Sequence, residues 1–174
     1  MIEIMSGTLN HDARSYSTNF KDCNCSVTIK KVENFVSLMN LEEVCFGKST
    51  PHADLALIYR SKKNKVIIFE MKGVNASLKD NQLKQLINRI KGKLQPTIDL
   101  FLGKKIEEGK LGLNNLLNLG LNVEFEYVLV FKNEDIIKPF LSNLTTRILQ
   151  VNIGSSTVNV PLKVILEKGE YFPK

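Results

Sequence analysis

Two hydrophobic rhythms divide the chain. In residues 28–40, Val32, Phe35, Val36 and Met39 fall at i, i+3, i+4 and i+7, which predicts one apolar face of a helix. A short apolar piece follows at 44–46, then the loop Gly47-Lys48-Ser49-Thr50-Pro51. Residues 53–59 are almost continuously apolar apart from the acid at position 54. Residues 65–72, Lys-Val-Ile-Ile-Phe-Glu-Met-Lys, form a second, β-branched run. The polar turn Ser61-Lys62-Lys63-Asn64 lies between them, so the pair predicts a hairpin buried on both faces, broken by Gly73. Leu83, Leu86, Ile87, Ile90 and Leu94 restore the helical period, with Asn75 or Ser77 as candidate cap and Pro96 just past the predicted end.

Farther on, two short Leu-rich pieces in residues 97–121 surround the polar stretch 103–110. A strand is then predicted over 123–131, a helix over 134–144, and closing strands over 147–153 and 158–166. Residues 1–25 are polar and aperiodic, which predicts an irregular N-terminal arm or a short helix near 12–20. There is no internal repeat. The order helix, hairpin, helix, strand, helix, strand predicts one mixed α/β domain over 1–174, with helices against a central sheet.

Composition narrows the function classes. A hydrophobic content of 43% in 174 residues supports a real core and one domain. Tryptophan is absent and aromatics are 7%, so a surface built mainly on stacked bases is not expected. The net charge is +6 and 20 of the 24 cations are lysine. That balance suits a polyanion such as nucleic acid, although a lysine excess also simply keeps surfaces soluble. Cys23, Cys25 and Cys45 provide no second pair for a zinc site, and His11 and His52 sit elsewhere, so reduced thiols are expected. No run approaches the roughly 20 apolar residues of a membrane span. The start MIEIMSGTLNHDARS lacks the basic start and apolar run of a signal peptide, so a soluble cytoplasmic protein is expected.

The candidate chemistry lies on the hairpin. Glu70 and Lys72 are two apart on one strand and so share a face. A tight antiparallel turn lays the start of the first strand, with Asp54, beside the end of the second. Ionised groups at the end of so apolar a strand must be paired or ligate something. Two adjacent carboxylates repel, and a divalent cation relieves the repulsion. Oxygen ligands with water suit Mg²⁺, with Mn²⁺ as a substitute. The backbone carbonyl of Met71, between the two side chains, is a further candidate ligand. Lys72 is placed to hold or deprotonate an attacking water, or to stabilise charge on a phosphoryl group.

The bare acid-x-Lys spacing is weak, since about two such triplets are expected by chance in this composition. Glu108-Gly109-Lys110 matches as well, in a glycine-flanked polar stretch with no strand before it. The weight comes from context: strand-borne acid, tight turn, apolar strand, acid-x-Lys, glycine, basic helix. The competing reading of Glu70 and Lys72 is a structural ion pair at a strand end.

On these stretches, His52-Ala53-Asp54-Leu55 and Phe69-Glu70-Met71-Lys72, the chain resembles the PD-(D/E)xK nuclease superfamily, particularly archaeal Holliday-junction resolvases and related small nucleases. Residues 52–90 carry the resemblance, about a quarter of the chain, with Ala53 where the motif's name has proline. The resemblance implies a restriction-endonuclease-like fold with an αβββαβ core and a mixed central sheet flanked by helices. It implies Mg²⁺ bound by Asp54 and Glu70, Lys72 in catalysis, and a magnesium-dependent DNA endonuclease acting on phosphodiester bonds, with branched DNA as the leading substrate. Family members often place a glutamine in the following helix, for which Gln82 and Gln85 are the matching positions. Many add an upstream acid, for which Glu33 is the first choice and Glu42 and Glu43 the alternatives. His52 is a candidate phosphate contact, with a plain turn residue as the competing reading. Lys79, Lys84 and Arg89 on the basic helix become candidate DNA-backbone contacts. Small nucleases of this kind often act as homodimers. The alternative is a catalytically silent nuclease-fold module for DNA binding or assembly.

Overall fold

The computed structural model describes residues 7–10, 15–20, 25–29, 35–41, 51–60, 64–73, 78–101, 123–166 and 170–171. The strands are β1 (Gly7–Asn10), β2 (Ser15–Phe20), β3 (Cys25–Ile29), β4 (Phe35–Asn40), β5 (Leu55–Arg60) and β6 (Asn64–Lys72), followed by helix α1 (Asp80–Phe101). Then come β7 (Val123–Phe131), α2 (Glu134–Asn143), β8 (Ile148–Ile153), β9 (Ser156–Leu166) and β10 (Glu170–Tyr171). The architecture is α/β.

The larger sheet has six strands in the order β4-β5-β6-β7-β9-β8. β4, β5 and β6 form an antiparallel meander. β6 pairs parallel with β7 after the α1 crossover, β7 pairs parallel with β9, and β8 closes the edge antiparallel. The central strands are buried on both faces, as Leu55–Ile58, Val66–Met71 and Tyr127–Phe131 show. One face packs on both helices. There Ala56, Ile58, Val66, Ile68, Tyr127 and Leu129 join Leu83, Leu86, Ile90, Leu94 and Ile98 of α1 and Ile136 and Phe140 of α2. α2 starts where Asn133 accepts a hydrogen bond from the Asp135 N–H, and Phe140 meets the Phe131 ring at a centroid distance of 4.9 Å. The smaller sheet has the order β1-β2-β3-β10.

Three sequence expectations are corrected. Residues 1–25 were expected to be an irregular arm or a short helix, yet β1 and β2 pair antiparallel and β2 pairs with β3. The aromatic or β-branched Tyr16, Thr18 and Phe20 alternate with Ser15, Ser17 and Asn19, a period of two inside a polar stretch. The helix expected over 28–40 is replaced by the end of β3 and by β4, which pairs with β5. A short apolar run fits either period, and pairing with an already buried strand decides the matter. Finally, α1 does not stop before Pro96 but runs through it to Phe101. The helix survives the missing N–H because Ile98 and Leu100 are buried and Thr97 is tied to the sheet. The expected caps Asn75 and Ser77 lie outside the described residues, as do 44–46 and 102–122.

Pro96 costs the interior of α1 one backbone hydrogen bond that packing must offset. Pro96→Ala is therefore expected to raise the unfolding free energy by about 1–3 kcal/mol, the helix gain less the unfolded-state entropy that proline removes. Urea denaturation checks this, and a loss of stability would show that the ring itself packs usefully.

Candidate functional site

The register of the meander builds the site. Leu55 pairs with Phe69 across β5 and β6. One position farther along the same register, Asp54 comes level with Glu70. The bend entering β5 is held on both sides, since Leu41 N–H donates to the Asp54 carbonyl and Asp54 N–H to the Phe69 carbonyl. Glu70 and Lys72 alternate with Phe69 and Met71, so they share the helix-covered face with Val66 and Ile68.

The structure thus brings Asp54, Glu70 and Lys72 together. Asp54 Oδ2 accepts a 2.6 Å hydrogen bond from the Met71 amide N–H. The contact that Met71 makes is its amide, whereas its carbonyl had been the expected ligand. Glu70 is fully buried. Its Oε1 accepts from the Lys72 ammonium. It also accepts from the Lys93 ammonium at 2.7 Å. Its Oε2 is buried and has no hydrogen-bond partner among the described residues.

Lys93 is the site residue that sequence reasoning missed. The candidates expected on the basic helix were Lys79, Lys84 and Arg89 as backbone contacts and Gln82 and Gln85 near the site, and Lys93 was not among them. A signal was present: the row Leu86, Ile90, Lys93, Thr97, spaced by four, three and four, runs along the apolar flank of the helix and turns polar at its last two members. Both are used. The fully buried Thr97 hydroxyl accepts from the Ala53 N–H at 2.9 Å and donates to the Lys93 carbonyl at 2.7 Å. This bridge ties the residue before Asp54 to the turn of α1 that carries Lys93.

Charge and burial pull against each other here. The Asp54 carboxyl is pushed up to about 6, chiefly by burial and then by the Glu70 charge, against the Met71 hydrogen bond and the two lysines. Burial alone would lower the Lys93 ammonium, but the Glu70 charge and hydrogen bond more than offset it and hold it above the ordinary lysine value. Tyr127, behind the site, donates its hydroxyl to the Ile90 carbonyl at 3.1 Å. Burial, then the charges of Glu70 and Asp54, push its phenol well above the usual range.

The remaining expected residues sit elsewhere. Gln82 is exposed, and its side-chain oxygen accepts from the Lys79 N–H at the start of α1. It lies eleven positions before Lys93, about 16 Å along the helix axis. Gln85 is also exposed, eight positions before Lys93, so the helix reaches the carboxylates through Lys93. Lys79, Lys84 and Arg89 are exposed. His52 is half-buried, with Nδ1 2.8 Å from the Ala53 carbonyl. Glu33, Glu42 and Glu43 lie outside the described residues. Among the described residues no three His, Cys, Asp or Glu side chains cluster. A hollow of about 350 Å³ lined by Lys65, Ile67, Phe125 and Pro161 lies at the opposite end of β6 from Glu70.

No family model matches the chain, and neither a curated protein nor a solved structure matches it. Among the described residues, no helix is long and apolar enough to cross a membrane.

Two predictions follow from this geometry. Thr97→Val keeps the shape but leaves the Ala53 N–H buried without an acceptor, and should cost about 1–3 kcal/mol in chemical denaturation. A neutral result would mean that the bridge does not hold the site together. The raised Asp54 pKa carries its own sign. Between about pH 4 and 6 the folded state keeps a proton that the unfolded state has released, so the stability this group contributes is fully present below about pH 4 and is lost as pH rises through about 6. Measured in EDTA, wild type should lose on the order of 2–3 kcal/mol relative to Asp54→Asn between about pH 4 and 7. Parallel pH profiles for the two proteins would refute the burial argument.

Proposed function

We propose that the protein is a metal-dependent DNA endonuclease of the PD-(D/E)xK type, with Asp54 and Glu70 as metal ligands and Lys72 at the attacking water. The observation that carries the proposal is the buried Oε2 of Glu70, which has no hydrogen-bond partner among the described residues, on a residue whose charge also raises the Asp54 carboxyl. A buried carboxylate oxygen without a donor is costly, and a cation is the partner that suits it. The donor set fits: two adjacent carboxylates present hard oxygen ligands of the kind Mg²⁺ takes together with waters. A described third acid is not needed for this fit, because Mg²⁺ retains several waters.

The fold supports the same reading. Three consecutive antiparallel strands, a crossover helix and a parallel strand, β4 to β7, run in the order βββαβ, which is the order such a core would have. Asp54 lies just before the second strand of the meander and Glu70 near the end of the third, an arrangement that suits this reading.

When bound, the cation would supply Lewis-acid polarisation of the phosphodiester and a lower pKa for water. The chain does the rest. Asp54 and Glu70 would hold that charge at the end of the buried β5–β6 pair. The Met71 amide locks the Asp54 rotamer through Oδ2. Lys72, held on Glu70 and still 22% exposed, can orient water with one proton while its charge opposes the negative charge that builds on the phosphoryl oxygens. The exposed Lys79, Lys84 and Arg89 would add sequence-independent contacts to the DNA backbone.

A supercoiled plasmid and a four-way junction, incubated with Mg²⁺ or with EDTA, test the proposal. Cleavage is expected with Mg²⁺ alone, reduced at least about 100-fold by Lys72→Ala and by Glu70→Gln. Cleavage by wild type no greater than by Lys72→Ala removes the enzymatic claim.

One observation favours a second reading. Lys72 and Lys93 already neutralise Glu70, as a structural ion cluster would. A silent nuclease-fold module would bind DNA equally well in EDTA and never cut it.

A further inference from the structure

We propose that Lys93 sets the order of assembly at this site, holding down its affinity for a bare divalent cation until a phosphodiester anion arrives. The proposal rests on the metal-site reading above.

The charges count simply. Two carboxylates, Asp54 and Glu70, face two ammonium groups, Lys72 and Lys93, and Lys93 interacts with both acids. When all four are ionised the quartet is neutral. A divalent cation between the carboxylates adds two positive charges with nothing to balance them. The groups sit around a fully buried Glu70, where screening by solvent is weak. Lys72 belongs to the same strand as Glu70, but Lys93 comes from α1 and is fixed there by the Thr97 bridge to Ala53. The helix cannot shift there without breaking the buried Ala53–Thr97 hydrogen bond, and the ammonium leaves only by giving up its hydrogen bond and ion pair to Glu70. Lys93 is thus a built-in positive charge that opposes the metal on its own.

An anionic phosphodiester changes that balance. It supplies negative charge to the cation and to both ammonium groups together. Lys93 is 25% exposed, so its remaining protons have access to such an anion. Cation and phosphodiester each lower the cost of binding the other, and by linkage the two effects are equal. Lys93 is a positioning and gating residue in this scheme, acting through charge on Glu70. The sign of its effect separates this role from simple packing. Losing a packing residue loosens the metal site, whereas losing an opposing charge tightens it.

The test is calorimetric titration of Mn²⁺ into wild type, Lys93→Met and Lys93→Arg, each confirmed as folded by circular dichroism. Lys93→Met keeps the apolar stem and removes the charge. Without any anion it should bind Mn²⁺ at least about tenfold more tightly than wild type, while Lys93→Arg should bind like wild type. Saturating dimethyl phosphate, at ionic strength matched with NaCl, should tighten Mn²⁺ binding to wild type and do so less for Lys93→Met. Equal or weaker Mn²⁺ binding by Lys93→Met overturns the inference while leaving the metal site standing. If Lys93→Met does not fold, the wild-type titration decides, and failure of dimethyl phosphate to tighten Mn²⁺ binding overturns it. Absence of Mn²⁺ binding by every form, with or without dimethyl phosphate, defeats the metal-site reading itself and this inference with it.

Discussion

A carboxylate with no exposure to water, held by two ammonium groups through a single oxygen, is the constraint around which this end of the sheet is arranged. Glu70 lies near the end of a strand whose residues Val66–Phe69 and Met71 are apolar and buried. Burying an ion there is tolerable only if it is compensated. Lys72 from the same strand and Lys93 from the crossover helix provide that compensation on Oε1. They leave Oε2 unmatched. Burial first, and then the Glu70 charge, raise Asp54 and Tyr127, and that charge holds Lys93 above the ordinary lysine value against its own burial. Helix α1 therefore does more than cover the sheet, since its polar pair Lys93 and Thr97 anchors the carboxylate and the entry to β5.

Backbone order and side-chain chemistry reinforce each other. The β5–β6 register puts two acids side by side because one sits just before a strand and the other near the end of its neighbour. The parallel β6–β7 pairing requires a crossover, and the crossover helix is what delivers Lys93. A site made from three adjoining segments of one motif needs little help from distant parts of the chain.

Most of this motif was legible in the residues. The β-branched run before Glu70, the apolar run after Asp54 and the polar turn between them specify a buried hairpin, and β7, α2, β8 and β9 follow equally clear patterns. What was not legible has physical causes. β1 to β3 are short and polar, so their period of two is carried by few side chains such as Tyr16, Thr18 and Phe20. Val32, Phe35, Val36 and Met39 fit a helix in isolation, and only the partner strand β5 shows that β4 is extended. Pro96 is a stop signal that tertiary packing overrides. Lys93 looked like any surface lysine because its partner lies 23 positions away, and no local pattern records that contact. The upstream acid, Glu33, Glu42 or Glu43, lies outside the described residues.

The central claim is that Glu70 Oε2 and the Asp54 carboxylate together await a divalent cation. A crystal structure of the protein soaked in Mn²⁺, with anomalous scattering recorded, tests it most directly. The account predicts one strong anomalous peak within about 2.0–2.3 Å of Glu70 Oε2 and an Asp54 oxygen, with waters completing the shell. No anomalous density there, with Glu70 still held by Lys72 and Lys93 and its second oxygen unmatched, would contradict the account and leave a structural ion cluster.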